Sequence, residues 1–182
     1  MKICVLFPGV GYHCDKPLLY YSAKLAEKKG YEVVKLNFTG FTTKIKGSGE
    51  KIGSAAETAL AQAEQQLADT DFSVWDEVVF IGKSIGTAAC LAYRQKYGIP
   101  AKCILLTPLV QTFDFDTKDC TAFHGTADPW ADTAIIRQLC KVNDVPIYEY
   151  EGANHSLETG DVFKDIKNVE DTLEKLERLW LL

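Results

Sequence analysis

Positive charge is in short supply in this chain. Lys and Arg number 20 against 25 Asp and Glu, a formal net charge of −5, and the cations are scattered among the acids. That excludes the electrostatic footprint of a nucleic-acid binder and the polybasic surface that holds a protein on anionic lipid. Long apolar runs are missing too. No stretch approaches the roughly 18 uninterrupted apolar residues of a membrane span. The N-terminal run Ile3-Cys4-Val5-Leu6-Phe7 is cut by Pro8 before it can serve as the centre of a secretory signal. A cytoplasmic protein with no membrane partner is expected. Histidine is scarce, at three residues, and none is spaced with cysteine as a zinc site requires, so no metal is expected. The six cysteines include no Cys-x-x-Cys pair and sit mostly in apolar segments. They read as reduced, buried thiols rather than a disulfide framework.

What is present is an ordinary globular composition, 47% apolar and 25% charged over 182 residues, enough for one domain spanning residues 1–182 with a real core. Short apolar or β-branched runs alternate with amphipathic stretches throughout. Strands are predicted at residues 3–7, 33–38, 77–81, 103–106, 121–123 and 146–150. Helices are predicted from an Asp15 cap to about Lys29, from the capping-box form Ser54-Ala55-Ala56-Glu57 through Ala56, Leu60, Ala63 and Leu67, after Gly86 to about Tyr97, and near 132–141. A final helix carries Val162, Ile166, Val169, Leu173, Leu176 and Trp180 on one stripe, which should pack across the sheet. Residues 39–53 form the longest irregular stretch. The fold class that follows is α/β: a three-layer α/β/α sandwich around a mainly parallel sheet of about six strands. In such a sheet the reactive residues should lie just beyond the carboxyl ends of the strands.

One segment there stands out. Gly82-Lys83-Ser84-Ile85-Gly86 follows Val78-Val79-Phe80-Ile81 and opens a helical stretch. A serine in such a strand-to-helix turn is held strained, its hydroxyl at a helix N-terminus where backbone N–H groups favour a developing oxyanion. Lys83, beside it, is expected to face solvent.

A serine hydroxyl needs a base, and in sites of this kind the chain order is serine, acid, histidine. His13 precedes Ser84. His124 closes a strand and has only the acidic group at 114–119 between it and the serine; it reads as a residue that shapes the next loop through hydrogen bonds. His155, in Gly152-Ala153-Asn154-His155-Ser156 past the last strand, is the base. Asp128, in the loop after the 121–123 strand, can accept the histidine Nδ1–H and stabilise the imidazolium, with Asp132 and Asp116 as rival acids. One oxyanion donor is the N–H of Ile85. The second comes from Pro8-Gly9-Val10-Gly11-Tyr12, with Val10 first and Gly9 or Gly11 next. Gly9, Gly11 and Tyr12 are candidate substrate contacts; Tyr12 reads equally well as an acyl-pocket wall and as an exposed loop tyrosine.

These blocks together resemble the α/β-hydrolase superfamily along nearly the whole chain. The resemblance implies a Ser84–His155–Asp128 triad, no cofactor, and a small-molecule acyl substrate with an ester, thioester or amide bond. It implies a fold lacking the superfamily's first two strands. Residues 107–119 are too short for the helical cap that many members insert, so a shallow, open site suited to small acyl groups is expected, with 39–53 as a partial rim. The segment Phe7-Pro8-Gly9 stands where many esterases have His-Gly-Gly. The expected reaction is hydrolysis of a small ester or thioester through an acyl-enzyme. An acyltransferase with the same triad, and a non-catalytic ligand-binding protein on the same fold, are the alternatives.

Overall fold

The computed structural model describes residues 1–41 and 49–179. Its sheet contains β1 (Lys2–Phe7), β2 (Glu32–Lys35), β3 (Glu77–Lys83), β4 (Ala101–Leu106), β5 (Cys120–Gly125) and β6 (Ile147–Tyr150). All six are parallel, in the order β2-β1-β3-β4-β5-β6. The helices among the described residues are α1 (Pro17–Lys28), α2 (Gly49–Gln66), α3 (Ile85–Tyr97), α4 (Thr133–Val142) and α5 (Val162–Leu179). None is long and apolar enough to cross a membrane.

The sequence dictates this arrangement through burial on both faces. Strand β3 reads Glu-Val-Val-Phe-Ile-Gly-Lys and is buried from Val78 onward, as a central strand of a helix-covered parallel sheet must be. Alternate side chains feed two cores. Val5, Phe7, Val78, Phe80 and Leu105 pack with α2, α3 and α4, while Cys4, Leu6, Val79, Ile81, Leu106 and Phe123 pack with α1 and α5. Residues 107–119 hold only a short 3-10 helix at Val110–Asp114, so no helical cap is inserted between β4 and β5.

The strand order reverses direction between the interior strands β1 and β3, the switch point at whose carboxyl ends such sheets place their sites. Registers align the strand ends: Phe7 sits opposite Gly82, Lys83 opposite Leu106, and Gly125 opposite Tyr150. The turns after β1, β3, β5 and β6 therefore emerge together.

Several boundaries differ from the sequence reading. Helix α1 starts at Pro17 with Lys16 at its cap and no side-chain cap bond; the fixed φ of proline at the first turn replaces the Asp15 cap. Strand β2 ends at Lys35, not 38, and Asn37 and Thr39 instead bond the side chains of Gln66 and Gln62. Ser54 lies inside α2 rather than at its start, and the helix buries Ile52, Ala55, Ala59 and Ala63. Within the predicted 39–53 loop, 49–53 is thus helical; 42–48, and with them much of the expected rim, lie outside the described residues, as does Trp180. On α5, Leu176 is buried, but Val162 and Ile166 are exposed, so the stripe packs at one end only. All six cysteines are buried and free.

Candidate active site

Ser84 connects β3 to α3 with φ 56° and ψ −123°. This is a costly conformation for a residue with a Cβ, and it persists only where the surroundings enforce it. The surroundings here leave no alternative. A Cβ on Gly82 would lie 2.6 Å from Gly86 O and 2.7 Å from Thr87 Cα, and one on Gly86 would collide with Phe7 O and Pro8 O. The two glycines of the motif exist to let strand, helix and the neighbouring β1 turn meet. Thr87 locks the turn from inside, since both its N–H (2.9 Å) and its Oγ1 (2.6 Å) reach Ser84 O.

His155 arrives from the loop after β6 and presents Nε2 2.7 Å from Ser84 Oγ. Its Nδ1 lies 2.6 Å from Asp128 Oδ2. The second carboxylate oxygen accepts the Trp130 N–H at 2.8 Å, which fixes the carboxylate's orientation. Trp130 then stacks on the imidazole, with centroids 5.4 Å apart and planes 23° apart. Burial pulls the His155 pKa down to about 4; the nearby Lys83 charge adds to this, and the Asp128 bond opposes it. The imidazole is therefore neutral near pH 7. With Nδ1–H donated to Asp128, Nε2 is left as an acceptor facing the serine hydroxyl.

The rival acids are occupied elsewhere. Asp132 caps α4 through the N–H groups of Ala134 and Ile135, and Asp116 is an exposed partner of Arg94 at 3.8 Å. His124 is fully buried. Its Nε2 lies 3.0 Å from Thr133 Oγ1, which donates to Thr126 O. The hydroxyl's own proton is thus committed, so Nε2 carries the histidine proton and bonds the acid loop into shape. That leaves Nδ1 as a bare lone pair, unpartnered and 4.0 Å from Asp128 Oδ2.

At the oxyanion side, Ile85 is the first residue of α3, and its N–H is among those a helix cannot satisfy internally. The turn after β1 is closed by Gly9 N–H to Tyr12 O and Tyr12 N–H to Gly9 O, at 3.1 and 3.2 Å. Gly9 is thereby removed as the second donor, and the Val10 and Gly11 N–H groups are left at the turn's tip. Gly9 lies so near Ser84 that a Cβ on it would sit 3.0 Å from that of the serine. Tyr12 is not an exposed loop residue. It is 7% exposed, its hydroxyl accepts the Leu18 N–H at 3.1 Å, and its ring lies 4.8 Å from Lys83 Nζ.

Lys83 is the largest departure from expectation. It is 1% exposed rather than solvent-facing, because the last residue of a doubly covered strand has no solvent to reach. Thr87, Trp130 and the burial of Lys83 were not identified from sequence. Only the tryptophan left a signal, two residues after Asp128 in Asp128-Pro129-Trp130.

No known family model matches the sequence, and no curated protein does. Solved structures do. The chain is similar to a serine hydrolase without a lid from Xanthomonas campestris, with 16% identity and TM-score 0.66 over 97% of this chain and 81% of that one. It is similar to Est1E of Butyrivibrio proteoclasticus with ferulic acid bound, at 13% identity and TM-score 0.69, covering 100% and 90%. It is also similar to an esterase of Pyrococcus furiosus, at 12% identity and TM-score 0.70, covering 98% and 81%. Likeness at such identities is likeness of architecture: the chain has the α/β-hydrolase fold, with six parallel strands and no helical cap between β4 and β5.

Proposed function

We propose that the protein is a serine hydrolase that cleaves a small carboxylic ester or thioester through an acyl-enzyme. The observation that carries this reading is the unbroken relay Ser84 Oγ–His155 Nε2 (2.7 Å) and His155 Nδ1–Asp128 Oδ2 (2.6 Å), with a neutral imidazole between. Ser84 Oγ attacks the carbonyl carbon as His155 Nε2 takes its proton. The oxyanion is received by the N–H of Ile85 and, from the β1 turn, that of Val10. His155 then returns the proton to the leaving alcohol or thiol. Water, deprotonated by the same imidazole, releases the acid and restores Ser84. Trp130 and Asp128 together keep the ring in plane with this path. The similar solved structures that are named esterases support the choice of bond, and the uncapped edge of the sheet supports a small substrate that needs no enclosing lid.

A fluorophosphonate probe tests the reading directly. Wild-type protein should be labelled stoichiometrically, and Ser84→Ala should abolish both labelling and ester turnover, lowering kcat by roughly five to six orders of magnitude. Absence of labelling in the folded wild type, or labelling that persists in Ser84→Ala, would overturn it.

A further inference from the structure

Lys83 stands one residue before the proposed nucleophile, yet no step of the proposed reaction uses it. A buried ammonium is expensive unless it is paired, and Lys83 is 1% exposed. No carboxylate lies within 4.0 Å of it among the described residues. Its contacts lead instead to the turn after β1. A Cβ on Gly9 would lie 3.0 Å from Lys83 O and 3.5 Å from Lys83 Cγ, so that turn rests on the lysine's backbone and stem. Farther out, Nζ lies over the Tyr12 ring, 4.8 Å from its centroid, which is the geometry of a cation on an aromatic face.

Tyr12 closes the far side of the turn. Its N–H donates to Gly9 O at 3.2 Å and its carbonyl accepts the Gly9 N–H at 3.1 Å, which leaves the Val10 and Gly11 N–H groups at the tip. Its hydroxyl accepts the Leu18 N–H at 3.1 Å, in the first turn of α1, a helix whose own cap residue makes no side-chain bond. The turn is thus tied to α1 by the phenol oxygen and to the elbow by the ring face. The second tie matters because the β1–β3 ladder ends at Phe7 opposite Gly82, and the backbone bonds of the turn run inward, between Gly9 and Tyr12. A methionine would fill the space of Lys83 without burying a charge, but it would offer the ring face only dispersion. We propose that Lys83 and Tyr12 are a pair of positioning residues: the buried ammonium, drawn to the ring face, clamps the β1 turn onto the elbow and holds the Val10 N–H where the oxyanion forms. The inference rests on the proposed acyl-enzyme reaction, with Val10 as its second oxyanion donor.

A donor aimed at a developing oxyanion acts on the transition state and leaves substrate binding alone, which separates positioning from packing. Turnover of a small ester is compared for wild type, Lys83→Met, Tyr12→Leu, Tyr12→Phe and the Lys83→Met/Tyr12→Leu double variant. At pH 6 the lysine, with its pKa brought by burial to about 7, is charged, and His155, at about 4, is neutral. Deleting an oxyanion donor outright costs about 10²–10³ in kcat, so displacing one should cost Lys83→Met and Tyr12→Leu each about 10- to 100-fold. In Lys83→Met, KM should change by less than about threefold. Tyr12→Phe keeps the ring face and should stay within about threefold of wild type. The double variant should be no slower than the slower single, because both changes open one clamp. Lys83→Met also removes a buried charge, so its urea midpoint should not fall. A kcat within about threefold of wild type in Lys83→Met, losses that multiply in the double variant, or a rate loss matched by a lower midpoint would overturn the proposal. A second readout needs no turnover. The 15N order parameters of the Val10 and Gly11 amides should be about 0.85 in wild type and fall toward about 0.6 in Lys83→Met. Unchanged order parameters overturn the clamp even if fluorophosphonate labelling proves the triad correct, and a loosened turn in a protein that is never labelled would discard the reaction but not the clamp.

Discussion

The two faces of the sheet are built to different tolerances. On the face covered by α2, α3 and α4, small residues let helices approach closely: Ala55, Ala59 and Ala63 of α2 are 0–6% exposed, and Ala88, Ala89 and Cys90 of α3 are at most 1% exposed. The opposite face carries α1 and α5, and there Val162, Phe163 and Ile166 stand 59–79% exposed; Val162 and Ile166 line a groove of about 840 Å³ together with Tyr21, Leu25 and Leu173. The strained serine is anchored on the tight face through Ile85 and Thr87. His155 arrives from the looser one, on a loop whose Ala153 and Leu157 belong to the α1–α5 core. The contrast teaches where precision is needed. A serine at φ 56° must be forced into place by packing, whereas a histidine needs only to be caught at its tip by Asp128 and Trp130.

The tight face should be the easier to break. Gly86→Ala places a methyl against the backbone carbonyls of Phe7 and Pro8, and neither carbonyl can retreat without tearing β1 from β3. The expected outcome is a loss of more than about 4 kcal/mol, read as failure to fold or a collapse of the denaturant midpoint. Unchanged stability would show that the elbow is not held as described. Next in size is Asp128→Asn, which tests how His155 is caught. An amide at that position keeps the shape but can present an N–H to Nδ1, turning the imidazole to the wrong tautomer. A fall of about 10⁴ in kcat with the fold intact is expected. A fall under tenfold would mean that Trp130 stacking alone suffices.

Lys83 follows Val79 and Ile81 on the α1–α5 side, against Tyr12, and gives a prediction about stability rather than rate. Its pKa falls from 10.5 in the unfolded chain to about 7 in the folded one, so between those values the unfolded chain holds a proton that the folded one lacks. The contribution of Lys83 to stability should then rise with pH across that window, by up to a few kcal/mol, and be flat below it. The buried cysteines, whose thiols are pushed up, act in the opposite direction toward pH 9.5, so the difference is the readout: the gain of Lys83→Met over wild type should be greatest at or below pH 7 and shrink toward pH 9.5. Urea midpoints at pH 6 and pH 9.5 for both proteins are sufficient to see it.

The legible parts of this molecule were those where chemistry constrains local sequence. Ser84 needs glycines two residues either side, His155 and Asp128 need to follow strands in a given order, and three histidines leave little choice. The side chain of Lys83 was illegible because its surroundings are three turns distant in sequence, and nothing in Gly-x-Ser-x-Gly says where x points. His124 was legible as a structural residue, but its bare Nδ1 was not, since the proton's place depends on the Thr133–Thr126 bond. The start of α2 was misplaced because Ser54-Ala-Ala-Glu57 has capping form, while Gly49 and Glu50 upstream already continue the helix. Boundaries of this sort are decided by what the preceding turn packs on, not by the cap alone.

Helix α5 shows the same limit in its sharpest form, and it yields the smallest predicted effect. Periodicity puts Val162, Ile166, Val169, Leu173 and Leu176 on one side, but it cannot say how far the neighbouring helix extends. Lys29, just past the end of α1, pairs with Glu177 near the end of α5, so the two helices are aligned at that end. Counting back along both helices from that pair, Pro17 falls level with Asp165, which at 1.5 Å per residue leaves about 4–5 Å of α5 projecting past Pro17. Ile166 sits at that boundary, 59% exposed, and Leu176 lies within the overlap, 0% exposed. Two residues of equal hydrophobicity on the same stripe should therefore behave oppositely. Ile166→Gln should change stability by no more than about 0.5 kcal/mol, while Leu176→Ala should cost about 2–5 kcal/mol through the cavity it leaves. If Ile166→Gln costs as much as Leu176→Ala, the overhang is covered in solution and the looser face is not loose.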